Sequence, residues 1–530
     1  MNNKGILVVF LILVLSISIF MAINPLNTQA QLNDNDTLFS SNSTIMNKSD
    51  TLNNEQNQYT KTYETRIGNL STQFGWVPSE TAKKLNDELF FQTAVQVYLL
   101  ALPAVGGAGL FNGIDKTGAN NTDILYWSQP ITSDVEILTP NTSTMYFMVR
   151  LDLSAGPIVF KAPAGIQGAV NNVYEQPVVD IGKTGRDKGM GGMYLILPPN
   201  YNGTVPSGYF VAKSDTTQSF IVGRAFIDNY ENLSSAINTI KEARVYPLSE
   251  SDNPPQQKFI DVFGQQLKMQ PPSTEGFWEF LHKVYSKEQY VRDEDKNLIG
   301  LMHTIGIIPG QPFNPDNNSK KILDEAAIVA NLMAKNVAYD SPVKASWIYY
   351  PGKNWVLGIM TNNPSFEDER NATQILPRMS YVYEAISTAD NMVKKFIGSG
   401  SKYLMNYRDG NDTFLVGANT YKLHVPPNIP VEQFWSVDAY DTETRSLIKD
   451  DVRSSITSVN LVNVTQNNDG SYDIYFGPEA PTGHKNNWIK TNPDEGFFVV
   501  FRFYGPTEAY YDKSWQLPDI ELVKGDIRIH

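Results

Sequence analysis

Residues 496–506 read GFFVVFRFYGP, a run of aromatic and β-branched side chains that ends in a Gly-Pro step. Alternation of apolar and polar residues is also clear at residues 433–441 and 471–476. A period of two is typical of strands that have one buried face and one solvated face. These strands predict a C-terminal β-sandwich over residues 405–530.

The chain ahead of this unit changes its pattern twice. From Ser79 apolar side chains recur at helical spacing, and Pro103 with the Gly-Gly pair three residues later predicts the end of that helix. Short apolar runs separated by Gly, Pro and Asn then favour a first β-sandwich, so that residues 66–237 form a helix plus this sandwich. Residues 238–404 predict a mainly helical linker region. The expected fold class is α+β, mainly β, with two jelly-roll-like antiparallel β-sandwiches, a helical N-terminal segment and a helical middle region.

Several short motifs in both halves carry a family resemblance. They are NTSTMY at 141–146, DLSAGP at 152–157, Gly223-Arg224, FWSV at 434–437, Asn487-Trp488, RFYGP at 502–506 and WQLP at 515–518. In combination the first three resemble the domain of unknown function DUF1254, and the others resemble DUF1214. Ser143 stands where DUF1254 sequences usually carry Asp, so chemistry that depends on that acid would be absent here. The resemblance implies helices beside two jelly-roll-like sandwiches, and it implies no settled activity.

The N-terminus predicts export. Residues 1–30 contain Lys4, an apolar run over residues 6–23 and a Thr-Gln-Ala step typical of signal cleavage. Because the run approaches the roughly 20 residues that span a bilayer, a retained N-terminal anchor is the alternative. Residues 31–65 have too few apolar side chains to offset the entropy of ordering, and they predict a disordered polar tether. Either way the expected location is secreted or cell-surface.

Export makes the N-x-S/T triplets candidate glycan acceptors. Asn141 also begins such a triplet, but it runs into a predicted strand and is expected to stay unmodified. The predicted glycosylation sites are Asn202, Asn232, Asn371 and Asn463.

Composition excludes several kinds of site. The 530 residues include no cysteine, which excludes thiol nucleophiles, thiolate metal sites and disulfides. A formal net charge of −13 without a basic cluster argues against nucleic acid as a partner. No two of the five histidines are four residues apart, and residues 189–192 (GMGG) indicate a turn rather than a nucleotide loop. No metal or cofactor is therefore expected, although an oxygen-ligand site for Ca²⁺ or Mg²⁺ stays open.

Candidate catalytic residues lie in the C-terminal unit. Alternation places Asp438 and Tyr440 on one strand face, and Arg502 lies in the 496–506 strand. Carboxylate acid-base chemistry in a cleft is one interpretation of this set. The alternative is a structural Arg502–Asp438 ion pair at a domain seam. A serine hydrolase is disfavoured because no G-x-S-x-G elbow is present.

Candidate ligand-binding residues come from motifs and polar loops. Asp180 and Arg186 lie in a Gly-rich loop, where turn capping and surface charge are the alternative roles. The alternative role of Trp488 is to close the C-terminal sandwich. The candidates are Tyr146, Asp180, Arg186, His484 and Trp488.

Two functions of different classes follow. The first is a protein that binds a carbohydrate, an envelope polymer or a small organic ligand between its two sandwiches. The second is an extracellular hydrolase or lyase that uses carboxylate, Tyr and Arg groups at the domain interface. The expected partner is a small molecule or polysaccharide, and contact with a membrane is expected only through a retained N-terminal helix. The sequence carries no signal for an oligomeric state.

Overall fold

The computed structural model describes residues 59–227, 230–288, 290–340, 342–449 and 453–530. The expected export signal, and the tether up to residue 58, lie outside the described residues. The chain divides into two compact units, the first ending at Thr81 and the second running from Ala82 to His530.

The first unit contains a β-hairpin. Its strands are β1 (Thr60–Thr65) and β2 (Gly68–Gln73), which pair antiparallel. The rings of Tyr59 and Phe74 stack beside it with their centroids 4.3 Å apart. Regular structure therefore begins before residue 65, where the sequence predicts tether. Most side chains of β1 are exposed, so backbone pairing rather than apolar burial forms this hairpin.

A long helix, α1, covers Ser79–Lys116. The prediction that it ends at Pro103 is wrong. A Cβ atom on Gly107 would lie 2.4 Å from the carbonyl oxygen of Val173, and one on Gly109 would lie 2.7 Å from that of Met269. The glycines thus mark places where the helix backbone packs against other segments. These tertiary contacts outweigh the roughly 1 kcal/mol that each glycine costs a helix.

Among the described helices, α1 is long and apolar enough to cross a membrane. In the fold, 83% of its apolar window is buried. Tyr98 is 1% exposed, and Phe90 packs against the same core. The helix is therefore a core element of this fold.

Two packed sheets form the first sandwich. A six-stranded sheet has the order β13-β3-β5-β11-β7-β8, and a four-stranded sheet has the order β10-β9-β6-β12, with β4 and β14 paired separately. Their facing side chains form one core cluster. The strands are β3 (Ile124–Tyr126), β4 (Val135–Glu136), β5 (Thr144–Asp152), β6 (Ile158–Ala162), β7 (Ile166–Asn172), β8 (Pro177–Ile181), β9 (Gly192–Leu197), β10 (Phe210–Lys213), β11 (Gln218–Phe226), β12 (Arg244–Pro247), β13 (Phe259–Asp261) and β14 (Leu267–Lys268).

The middle of the chain carries most of the remaining described helices, although β12 and β13, which fall within the predicted helical region 238–404, belong to the sheets of the first sandwich. Its helices pack on α1 and bury a large apolar cluster. Beyond α2 (Ser234–Lys241), which packs on the first sandwich, they are α3 (Phe277–Lys287), α4 (Lys296–Thr304), α5 (Asn317–Asp340), α6 (Pro342–Ala345), α7 (Ile375–Glu384) and α8 (Asp390–Val393).

A second pair of sheets follows. A five-stranded sheet has the order β15-β16-β22-β18-β19 and packs on a four-stranded sheet with the order β21-β20-β17-β23. A short helix, α9 (Glu508–Tyr511), follows β22. The strands are β15 (Val356–Leu357), β16 (Ser401–Asn406), β17 (Thr420–Val425), β18 (Val431–Asp441), β19 (Ser455–Thr457), β20 (Tyr472–Gly477), β21 (Trp488–Lys490), β22 (Phe497–Pro506) and β23 (Glu521–Lys524).

The chain is thus an α+β protein with somewhat more strand than helix. The central strands of both sandwiches pair antiparallel, as expected, but β9–β10, β3–β13 and β20–β21 pair parallel. The outer faces of the six-stranded and five-stranded sheets share an apolar cluster with the helices. The two sandwiches therefore meet through these outer faces.

Candidate functional site

Three adjacent strands of the six-stranded sheet bring Tyr146, Arg224 and Gln167 into one row. Arg224 on β11 lies opposite Tyr146 on β5 and opposite Gln167 on β7. Neighbours along these strands, such as Phe147 and Ala225, belong to the core of the first sandwich. Because side chains alternate along a strand, the row occupies the other face of the sheet. All three of its side chains line one cavity.

The five-stranded sheet supplies a second row. Arg502 on β22 lies opposite Tyr403 on β16 and opposite Ser436 on β18. Phe501 and Phe503 alternate with Arg502 and fill the core of the second sandwich. Tyr403 and Arg502 line the same cavity as the first row.

The cavity has a volume of about 120 Å³ and a mostly apolar wall. Met148 and Val222 come from the first sheet, and Met405 and Val500 come from the second. Arg224 and Arg502 are the charged side chains in the wall that the described residues provide. The site is therefore a mostly apolar cavity with a few converging polar groups.

Residues 385–392, which we call the strap, contribute much of the remaining wall. The first sandwich holds the strap through hydrogen bonds. The Asn171 side-chain amide donates to the carbonyl of Thr388 at 2.8 Å. Asp180 accepts from the backbone N–H of Asn391 at 3.0 Å, and its burial raises its pKa. Asp180, a predicted ligand-binding residue, thus caps the strap.

The second sandwich holds the end of the strap through Lys402. Its ammonium donates to the carbonyls of Met392 at 2.9 Å and Val393 at 2.7 Å. Burial lowers the pKa of Lys402 to about 7. Glu175 accepts from the backbone N–H of Ser387 at 3.2 Å, and burial raises the pKa of Glu175 well above its ordinary value. The strap is therefore anchored by buried polar groups from both sandwiches.

The structure brings the three predicted catalytic candidates into direct contact. The Arg502 Nε donates to Asp438 Oδ2 at 3.0 Å, and its Nη2 donates to the Tyr440 hydroxyl and the Thr139 carbonyl, both at 2.7 Å. The Tyr440 hydroxyl donates to the carbonyl of Pro140 at 2.5 Å. The ion pair proposed as the structural alternative is therefore present.

The electrostatics of this network favour a positioning role. Asp438 is 0% exposed, and burial raises its pKa while the Arg502 guanidinium opposes that rise. Burial also raises the pKa of Tyr440 well above its ordinary value, so that its phenol stays protonated. Neither Asp438 nor Tyr440 lines the cavity. Their contacts hold Arg502, which does line it.

Arg224 has a different environment from Arg502. Its Nη2 donates to the hydroxyl of Ser401 at 2.8 Å, and its guanidinium carbon lies 5.1 Å from the centre of the Tyr504 ring. Among the described residues no carboxylate forms an ion pair with it. Since a guanidinium does not lose its proton in a protein, Arg224 is a cation without a protein counterion in the described chain.

The groups on either side of Arg224 are polar. Gln167 is 2% exposed, and its amide nitrogen has no hydrogen-bond partner among the described residues. The Tyr146 hydroxyl accepts a hydrogen bond from the Asn141 amide at 2.8 Å. Both groups lie in the cavity wall.

The remaining ligand-binding candidates lie away from the cavity. Arg186 is exposed and donates to a backbone carbonyl of β10 at 2.8 Å. His484 is exposed, and its ring lies 4.5 Å from that of Tyr475. Trp488 is buried and donates to a backbone carbonyl of β20 at 2.9 Å. Of the five candidates, Tyr146 is the one in the cavity wall.

The predicted glycan acceptors are accessible. Asn141, which was expected to stay unmodified, is 0% exposed. The exposed acceptors are Asn202, Asn232, Asn371 and Asn463.

Sequence reasoning missed Arg224, Gln167 and Tyr403 as site residues. For Arg224 a signal was present, since it belongs to the Gly223-Arg224 motif. Gln167 and Tyr403 had no such signal in the sequence. Each lies in an ordinary strand, and only the pairing register of the strands places it in the cavity wall.

A second buried polar cluster lies outside the cavity wall. Lys344 donates to the Tyr407 hydroxyl, which donates to Glu384 at 2.5 Å. Burial lowers the pKa of Lys344 to about 8 and raises that of Glu384. Within the described ranges, no group of three His, Asp or Glu residues is arranged to hold a metal ion.

Residues 121–247 match the family model DUF1254 and residues 400–508 match DUF1214, each described as a protein of unknown function. The predicted resemblance is confirmed. Among solved structures, the VPA0106 protein from Vibrio parahaemolyticus is 18% identical with a TM-score of 0.48, covering 82% of this chain and 100% of that chain. An uncharacterized protein from Burkholderia cenocepacia is 11% identical with a TM-score of 0.38, covering 84% of this chain and 91% of that chain. No curated protein matches the chain.

Proposed function

We propose that this chain, in which a DUF1254 region is followed by a DUF1214 region, is an exported protein that binds a small organic ligand. The ligand lies between two jelly-roll-like sandwiches, and the protein acts in secreted form or at the cell surface. The observation that supports this function is the cavity walled by Arg224 and Arg502 from facing sheets. Apolar pockets with a few converging polar groups are the usual form of small-molecule sites.

The size of the cavity favours a small ligand. An apolar cavity of roughly 150 Å³ binds benzene. A cavity of about 120 Å³ therefore suits a molecule of the size of a single aromatic ring. A polysaccharide or an envelope polymer could place only a small part of itself in a cavity of this volume, and we propose a small organic molecule in preference to both.

A thermal-shift screen of the purified protein against small organic molecules tests this function, with hits checked by calorimetry. Val222→Phe fills the cavity, since Val222 lines its wall. Val211→Phe is the matched control, because Val211 lies on β10 outside that wall. We expect hits that bind the wild type and Val211→Phe but not Val222→Phe. A complete screen without a hit, or equal binding by both variants, would contradict the proposal.

A second candidate function is an extracellular hydrolase or lyase. The observation that favours it is the cation Arg502 in the cavity wall, which Asp438 and Tyr440 hold in place from behind. This function predicts that Tyr440→Phe abolishes turnover of a cavity ligand while its affinity changes little. Recovery of every cavity ligand chemically unchanged after long incubation with the wild type would exclude it.

A further inference from the structure

We infer that the ligand is a small organic carboxylate and that its carboxylate group binds at Arg224. This inference rests on the binding function proposed above and specifies the chemical class of the ligand. The charge of the cavity, its unused donor groups and its apolar wall each support it.

Arg224 gives the cavity a positive charge that the described protein does not balance. Arg502, the other guanidinium in the wall, is paired with Asp438 at 3.0 Å. No carboxylate of the described residues is in the wall, and none of them pairs with Arg224. Arg224 is half-buried, and even partial loss of hydration is costly for a charge unless an opposite charge accompanies it. An anionic ligand would supply that charge.

The polar groups beside Arg224 have donors to offer. A guanidinium carries five N–H donors in a planar fork that matches a carboxylate, and those of Arg224 are engaged in part, by the hydroxyls of Ser401 and Tyr146. The buried amide nitrogen of Gln167 has no acceptor among the described residues. Tyr146 accepts from Asn141, which leaves its own hydroxyl proton available to donate. A row whose donors are only partly engaged fits a ligand group that only accepts, as a carboxylate does.

The rest of the wall determines the chemistry of the ligand beyond its carboxylate. Met148, Val222, Met405 and Val500 are apolar and come from both sheets. A volume of about 120 Å³ is somewhat below the roughly 150 Å³ that holds benzene, so the apolar part of the ligand is no larger than one ring or a short branched chain. Inorganic anions would leave this apolar surface unfilled. Benzoate is a suitable probe because it combines one carboxylate with one apolar ring.

Calorimetry on the wild-type protein with benzoate and benzamide tests the charge requirement directly. The two probes share their ring and nearly their size, but benzamide carries no charge. Because hydrogen bonds to a charged partner are roughly twice as strong as neutral ones, we expect benzoate to bind at least about tenfold more tightly. This comparison needs no variant and does not depend on how a substitution affects folding.

Arg224→Met locates the carboxylate within the cavity. It removes the charge and keeps an unbranched side chain, and we expect it to weaken benzoate binding about tenfold or more with little effect on benzamide. Arg186→Met is the matched control, since Arg186 is exposed and outside the wall. Gln167→Leu is a second variant in the donor row, and a several-fold loss of benzoate affinity is expected from it.

The outcomes separate this inference from the binding function. Binding of benzamide or another neutral molecule with no preference for benzoate would overturn the carboxylate and leave the binding function standing. Displacement of benzoate by chloride or phosphate at similar concentration would overturn the organic part of the inference. Failure of every small molecule, charged or neutral, would overturn both proposals.

Discussion

Replacing Asp438 by Asn tests how strongly the seam between the two sandwiches depends on one buried ion pair. Asp438 is 0% exposed, and its Oδ2 accepts from Arg502 Nε at 3.0 Å and from the Ser436 hydroxyl at 2.7 Å. The Asn side chain has nearly the same shape but no charge. Arg502 would then remain buried without its counterion.

Removing one partner of a buried pair typically costs about 3–5 kcal/mol. We expect the lower end, about 3 kcal/mol, because burial raises the pKa of Asp438 and its charged form is therefore already disfavoured. Thermal unfolding followed by circular dichroism measures the effect. With an unfolding entropy of roughly 2.1 cal/mol/K per residue over the unit from Ala82 to His530, the melting temperature should fall by about 3 °C.

The matched control is Asp87→Asn. Asp87 pairs with Lys83 at 2.6 Å on the exposed surface of α1, where solvent screens the interaction. The melting temperature of the Asp87→Asn variant should therefore stay at the wild-type value. Asp438→Leu combined with Arg502→Leu should be less destabilised than the sum of the two single variants, because the pair is removed together. A melting temperature of Asp438→Asn within about 1 °C of wild type would refute the reasoning.

The remaining predictions concern a buried amine, a sheet contact and surface modification. Burial lowers the pKa of Lys402 from 10.5 to about 7. Between these two pH values the unfolded chain binds more protons than the folded chain, so the free energy of unfolding should rise with pH. Melting temperatures of the wild type and Lys402→Met should therefore diverge by the equivalent of about 2 kcal/mol between about pH 7 and about pH 9, and parallel curves would contradict this. Gly223→Ala places a Cβ 2.2 Å from the Phe147 ring and should cost about 1–3 kcal/mol in unfolding measurements, whereas Gly300→Ala meets open space and should not destabilise. In a host that glycosylates exported chains, we expect glycans on Asn202 and the three other exposed acceptors, so that enzymatic deglycosylation lowers the mass of the protein. An unchanged mass would exclude their modification.

The sequence indicated which residues form strands and which of them share a face. Alternation in residues 433–441 placed Asp438 and Tyr440 on the same side of β18, and the structure has both on the outer face. The helix that begins at Ser79 was also predicted, but its end was not. Proline and glycine are local signals for the end of a helix. The helix α1 continues beyond them because its backbone packs against Val173 and Met269.

Family motifs in the sequence also predicted the DUF1254 and DUF1214 regions, because short motifs can be recognised without knowledge of the fold. The cavity could not be predicted in this way. Its donor row depends on the register that sets Arg224 opposite Gln167, and a shift of one residue would move each side chain to the other face. Its second wall depends on how the five-stranded sheet packs against the first. Sequence by itself determined strands, faces and family regions, whereas register and sheet packing, which join residues far apart in the chain, decided that Arg224 and Arg502 line one cavity.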